Sequence, residues 1–281
     1  MTRALRVPGL TACLLALLCA CAGTAAQAAE GKTRLTWYGH AAFRITTPAG
    51  HVLLIDPWIT NPGNKQGKAD LEALGKVDLI LISHGHSDHV GNAVEIAGKT
   101  GAKLVSTFDL GRALVAYADY PEKAVGFDSQ GNFGGTLSFF DGEVKITFVP
   151  AVHGSGITVP RGAGKPADVY YGGNPAGFLV SIRNGPTFYH TGDTDVFSDM
   201  KLIPLRQHVD VMLACIGDHF TMGPRGAAVA VEMVKPDVVI PMHYGTFPVL
   251  TGTPEAFRSA LEESGAKARL EVMKVDDTIE F

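Results

Sequence analysis

One junction constrains this chain more than any other feature. Val77-Asp78-Leu79-Ile80-Leu81-Ile82-Ser83 is an almost unbroken apolar run, and His84-Gly85-His86-Ser87-Asp88-His89 follows it directly. A short apolar run bounded by turn residues reads as a strand buried on both faces. Three imidazoles and one carboxylate packed so closely are hard to explain as core filling. Neutral His and ionised Asp are donors that zinc, manganese and iron accept. In an extended turn, residues two apart share a side, so His84 and His86 can face one ion. Asp88 and His89, at the start of the next helical turn, can face a second. The junction therefore asks for a buried sheet with a metal-competent loop at a strand end.

Such a sheet needs a large core, and composition allows one. The chain has 281 residues, 46% hydrophobic and 19% charged, which excludes a disordered or collagen-like chain. The net charge is −4 and no basic patch is present, so no nucleic-acid partner is expected. The N-terminus has its own pattern. Arg3 and Arg6 precede the apolar stretch 10–22, and Ala26-Gln27-Ala28 has the small-x-small form of a cleavage site. Residues 1–28 are expected to be a secretory signal peptide, with one domain over 29–281 and a periplasmic or secreted location. The stretch is too short to span a bilayer, and no later one is long enough. Leu18-Cys19-Ala20-Cys21 resembles a lipoprotein box, so lipid anchoring at Cys21 is the minor alternative. Cleavage would leave Cys215 alone, without an internal disulfide. Its apolar surroundings mark it as core filler.

The rest reads as strands first and then strands mixed with helices. Strands are expected at 33–38, 42–46, 52–56, 77–83 and 103–107, and a hairpin at 137–140 and 144–149 around Asp141-Gly142. A second pair, 177–183 and 187–190, turns at Asn184-Gly185. Further strands are expected at 210–216, 237–241, 269–273 and 278–281. Helices are expected at 91–99, 110–117, 224–235 and 254–264. The last should start with Thr253 as N-cap and Pro254 in its first turn, and stop at Gly265. Residues 155–174 are rich in Gly and Pro with little pattern, and read as an irregular functional loop. This order suggests an α/β fold of two packed sheets covered by helices.

His84-Gly85-His86-Ser87-Asp88-His89 is the HxHxDH motif of the metallo-β-lactamase superfamily, which the chain resembles. The later motifs fit in order. His153, Asp193 and His243 each fall shortly after an apolar run. The resemblance implies a four-layered αββα sandwich. It also implies His84, His86 and His153 on one metal, Asp88, His89 and His243 on the other, and Asp193 bridging them. A closer resemblance covers nearly the whole mature chain. It rests on Gly39-His40-Ala41, Ile55-Asp56-Pro57, the stretches 172–177 and 217–224, and Met242-His243-Tyr244-Gly245-Thr246. These look like uncharacterised metal-dependent hydrolases related to L-ascorbate-6-phosphate lactonase. The leader departs from that cytosolic enzyme, and Gly154-Ser155 follows His153 where the branch often has two serines.

The resemblance implies metal-assisted hydrolysis, with two divalent ions, zinc before manganese or iron, lowering the pKa of a shared water. Asp88 would orient the resulting hydroxide and take its proton. His219 and Tyr244 are the candidate catalytic donors to a developing oxyanion. Asp56 reads equally as a carboxylate behind a ligand imidazole or as a turn former before Pro57. His40 is a candidate neighbour of the metals. His51, His190 and His208 read as surface or core residues. Tyr170-Tyr171 reads first as a packed loop and second as a lid. The expected substrate is a small ester-like molecule, a lactone first. A phosphodiesterase or phosphatase on the same metals and a non-catalytic metal-binding protein are the rivals, and the oligomeric state stays open.

Overall fold

The computed structural model describes residues 1–2, 31–163 and 165–281. Residues 3–28 of the expected leader, with Cys13, Cys19 and Cys21, lie outside the described residues. In chain order the strands and helices are β1 (Arg34–Trp37), β2 (Phe43–Thr46), β3 (Val52–Ile55), α1 (Gly67–Ala73), β4 (Leu79–Leu81), α2 (Ser87–Val90), α3 (Ala93–Thr100), β5 (Lys103–Thr107), α4 (Phe108–Tyr117) and β6 (Gln130–Gly131). There follow β7 (Thr136–Phe139), β8 (Val144–Pro150), β9 (Gly156–Val159), β10 (Asp168–Tyr171), β11 (Ala176–Ile182), β12 (Thr187–His190) and α5 (Ile203–Arg206). The chain closes with β13 (Val211–Cys215), α6 (Pro224–Val234), β14 (Val238–Met242), α7 (Pro254–Ser264), β15 (Arg269–Leu270) and β16 (Thr278–Glu280).

Two seven-stranded sheets result. The first has the order β16-β1-β2-β3-β4-β5-β6 and the second β15-β14-β13-β12-β11-β8-β7. Each is antiparallel in one part and parallel in the other. β3, β4, β5 and β6 run parallel in the first sheet, as do β12, β13, β14 and β15 in the second. The last strand, β16, returns to the first sheet and pairs with β1 in the register Leu35↔Ile279.

The β4 run explains the layering. Leu79 and Leu81 point into the core between the sheets, with Phe43, Ile55, Phe148, Phe178 and Phe188. Ile80 and Ile82 point outward, where Ile96 and Ala97 of α3 and Leu110 and Leu114 of α4 cover them. A strand apolar at every position has both faces buried, as a parallel strand under helices requires. Each such side chain contributes about 1.5–3 kcal/mol on burial. The far sheet is covered by α6 through Ala227 and Val231 and by α7 through Phe257 and Leu261. The layers are helix, sheet, sheet, helix: an αββα sandwich. The α7 boundaries follow the sequence signals. Thr253 Oγ1 accepts the Ala256 N–H at 3.1 Å, and Gly265 ends the helix at φ 75°.

Two expectations need correction. Residues 155–174 are not an irregular loop, because β9 and β10 pair there as an antiparallel hairpin. Only Ile157 in those strands is fully buried, so apolar alternation is nearly silent. The helix α1 went unforeseen. It opens on a glycine and has no side-chain cap. The strand expected at 269–273 shortens to Arg269–Leu270. Cys215 is buried and free, as anticipated. No helix among the described residues is long and apolar enough to cross a membrane.

Candidate metal centre

The candidate ligands stand at the carboxyl ends of strands, where open α/β sheets place their sites. Residues 84–89 follow β4, His153 follows β8, Asp193 follows β12 and His243 follows β14. The loops that carry them are tied to one another. Val152 N–H donates to Thr194 Oγ1 at 2.9 Å, and Asp195 N–H donates to the Val152 carbonyl at 3.0 Å. His243 N–H donates to the His40 carbonyl at 3.0 Å. Gly192 has φ 61°, and a Cβ there would sit 2.6 Å from the Ala176 carbonyl oxygen, so the turn into Asp193 requires glycine.

His84, His86 and His153 form the first set of donors. His84 Nε2 lies 2.9 Å from His86 Nδ1, and His153 Nε2 lies 3.3 Å from the same atom. The His84 tautomer follows from its neighbours. Ser83 Oγ donates to Asp56 Oδ2 at 2.6 Å, so it accepts from His84 Nδ1–H at 2.9 Å. The Nε2 lone pair is thereby turned toward the other rings. His89, His243 and Asp88 form the second set, joined by His40.

Asp193 belongs to both. Its Oδ2 lies 3.0 Å from His243 Nε2, 3.2 Å from His89 Nε2, 3.6 Å from His153 Nε2 and 3.9 Å from His84 Nε2. One carboxylate oxygen thus stands among the rings of both sets. His89 Nε2, Asp193 Oδ1, and both ring nitrogens of His243 are buried without a hydrogen-bond partner. Buried polar atoms are nearly always paired. Convergent, unpaired imidazole and carboxylate atoms are what a divalent cation would satisfy, so the donor set fits metal.

Protonation suits that use. Burial holds His84 well below the ordinary imidazole range and lowers His86 and His153 as well. These rings are neutral near pH 7, as metal ligands must be. Burial would raise Asp193, but His243 and His89 hold it well below the usual carboxylate range. Burial likewise opposes ionisation of Asp88, yet the His40 hydrogen bond and His89 keep it low. His89 goes the other way. Burial would lower it, but Asp193 and Asp56 hold it well above the ordinary value.

Asp56 proves to be both of the things weighed for it. It turns the chain at φ 45° before Pro57. It also supports the ligands, accepting from Ser83 N–H at 2.7 Å and approaching His89 Nδ1 at 2.8 Å. That contact fixes the His89 tautomer and aims Nε2 at Asp193. His40 is buried at φ 51°, with Nε2 3.2 Å from Asp88 Oδ2 and Nδ1 2.9 Å from Thr246 Oγ1. Burial pushes its pKa down to about 4. Sequence reasoning passed over Ser83 and gave His190 no role. His190 accepts from Gly192 N–H at 3.1 Å and approaches the Ala41 carbonyl through Nε2 at 3.0 Å, tying the Asp193 turn to the other sheet.

His219 and Tyr244 are not brought into the cluster. His219 is exposed in a left-handed pair with Asp218, its ring edge-on to Phe220 at 4.4 Å. Tyr244 packs on Trp37 with centroids 5.6 Å apart and joins the inter-sheet core. Burial pushes its hydroxyl up to about 12. Among the described residues neither makes a hydrogen bond to a candidate ligand. Tyr170 stacks on Tyr117 with centroids 4.0 Å apart, and the Tyr171 hydroxyl donates to Asn174 Oδ1 at 3.1 Å. His51 pairs with Glu143 and His208 with Asp237, both away from the centre.

Comparison with known proteins agrees with this fold. The Beta-lactamase superfamily domain matches residues 34–243. The UPF0173 metal-dependent hydrolase of Thermodesulfovibrio yellowstonii is 56% identical over 254 residues, covering 90% of this chain and 94% of that one. Igni18, a metallo hydrolase from the archaeon Ignicoccus hospitalis, superposes with a TM-score of 0.75 at 34% identity, covering 89% of this chain and 98% of that one. The metallo-beta-lactamase fold protein YhfI from Bacillus subtilis shares the fold at 12% identity, with a TM-score of 0.64 over 90% of this chain and 100% of that one.

Proposed function

The chain belongs to the β-lactamase superfamily and, within it, to the UPF0173 metal-dependent hydrolases, and from that premise we propose a dinuclear hydrolase of small ester-like substrates, lactones first. The observation that carries the dinuclear reading is Asp193 Oδ2, within 3.9 Å of ring nitrogens from both donor sets. His84, His86 and His153 would hold one ion. Asp88, His89 and His243 would hold the other, with zinc favoured by the histidine-rich set and manganese or iron next. When bound, the pair would supply Lewis acidity and a lowered water pKa.

The protein's own residues do the rest. Asp56 and Ser83 orient His89 and His84. His40 holds one oxygen of Asp88, leaving the other carboxylate oxygen to orient a water and accept its proton. Cys215 is no nucleophile here, because it is buried and its thiol is pushed up to about 12 by burial. Among the described residues every ion-pair contact to Asp88 and Asp193 comes from a histidine, and none from Lys or Arg.

Export is part of the same reading. It rests on the leader pattern of residues 1–28, with anchoring at Cys21 as the second form. N-terminal sequencing from the native host tests it, and an intact Met1 overturns it. For the reaction, a metal-loaded protein should cleave members of a lactone panel. Ready cleavage of phosphodiesters with no lactone turned over replaces this reading with the phosphodiesterase one.

A further inference from the structure

Resting on the metal-dependent hydrolase reading, we propose that Trp58 and Phe247 form an apolar subsite beside Asp88 that takes an uncharged alkyl or aryl arm of the substrate. Their rings stack with centroids 5.8 Å apart and planes 27° from parallel. Both meet His40 edge-on, Trp58 at 5.4 Å and Phe247 at 6.0 Å. His40 in turn touches Asp88 at 3.2 Å. The aromatic pair is therefore one imidazole away from a carboxylate on the open rim of the centre.

Both rings are fixed through segments that carry the centre itself. Trp58 N–H donates to the Asp56 carbonyl at 2.7 Å, and Asn61 Nδ2 donates to the Trp58 carbonyl at 2.8 Å. Gly91 closes α2 at φ 45°, where a Cβ would stand 2.4 Å from Trp58 Cα. Phe247 lies four residues after His243, in a turn closed by Leu250 N–H to the Phe247 carbonyl at 3.0 Å. Phe247 nevertheless stays 36% exposed and Trp58 is only partly buried. Ligand sites combine an apolar wall with a few polar groups that fix orientation, and here the two adjoin. Rigid aromatic rings bury much area while losing little rotamer freedom.

The charge pattern narrows the arm. A phosphate or carboxylate tail would call for Arg or Lys donors. The polar contacts of Asp88 and His40 go instead to histidines and Thr246.

Linear alkanoates from acetate to octanoate test this without turnover, because the carboxylate can engage the centre while the chain probes the wall. Kd values for the zinc-loaded protein should fall with chain length by up to about fourfold per methylene, the equivalent of ~0.8 kcal/mol per buried CH₂. Phe247→Ser should flatten that slope at wild-type metal content, and Phe247→Leu should restore most of it. Trp58→Ser provides a second reading should Phe247→Ser misfold. A chain-independent Kd in the wild type, or an unchanged slope in Phe247→Ser and Trp58→Ser, overturns the subsite. A steep slope without lactone turnover sustains the subsite and overturns only the lactone reading.

Discussion

The centre has a floor and a rim, built differently. On the floor, His84, His89, Asp193 and His243 are all at most 3% exposed. Asp56 and Ser83 brace two of them through contacts of 2.6–2.9 Å. On the rim, His86, Asp88 and His153 are each partly open to solvent. Their support comes from loops: His40 behind Asp88, and the Thr194 contact beside His153. The same donor chemistry thus sits in a preorganised half and an adjustable half. On the proposed reading, the floor would set whether ions are held and the rim how substrate and ions enter.

The largest effect should follow from cutting the floor's support. Asp56→Asn removes a buried carboxylate facing His89, and breaking a buried pair costs about 3–5 kcal/mol. Denaturant unfolding of the metal-free protein should show that loss, together with roughly 10–100-fold weaker metal binding. A wild-type midpoint would erase the distinction between floor and rim.

Cutting the rim should do less to the fold. His153→Ala should leave unfolding within about 1 kcal/mol of wild type, as for partly exposed sites, and lower the affinity of one ion in competition with a chelator. A folding defect as large as that of Asp56→Asn would contradict the comparison.

The floor should also release a proton on loading. Burial opposes a charge on His89, but Asp193 and Asp56 hold it well above the ordinary imidazole value, which favours the protonated ring in the metal-free protein. A cation at its Nε2 must displace that proton, whereas the neutral rings of the first set have none to give. Calorimetry in buffers of different ionisation enthalpy should report about one proton released per chain at pH 7. The sign also bears on stability. The raised His89 pKa favours the metal-free fold below about pH 6.5, and that contribution fades as pH rises through the folded value. Zero release would show that His89 is already neutral.

The smallest effect is expected beyond the rim. His219→Ala should change kcat/KM by no more than about twofold, because the ring is exposed and touches Phe220 alone among the rings. A loss near the 10²–10³ typical of an oxyanion donor, roughly, would return His219 to the site.

What the sequence revealed follows the same division. The convergence of the candidate ligands was legible because each follows an apolar run, and apolar periodicity marks buried strands well. Their supports were harder to read. Ser83 looks like an ordinary strand end, and His190 like any core histidine, until folding sets one against Asp56 and the other against Gly192. The β9–β10 hairpin escaped because its strands are half exposed and lack a hydrophobic face. His219 and Tyr244 adjoin motif residues in sequence, but left-handed backbone at Asp218, His219 and His243 turns the chain there, and adjacency does not survive such turns.

The most direct measurement of the central claim is metal content after reconstitution with zinc, by elemental analysis of the wild type and of Asp193→Ala. The account predicts two ions per wild-type chain and loss of both, or of their coupled binding, in Asp193→Ala. One ion or fewer in the wild type, or two tightly held ions in Asp193→Ala, would contradict a shared carboxylate at the heart of the site.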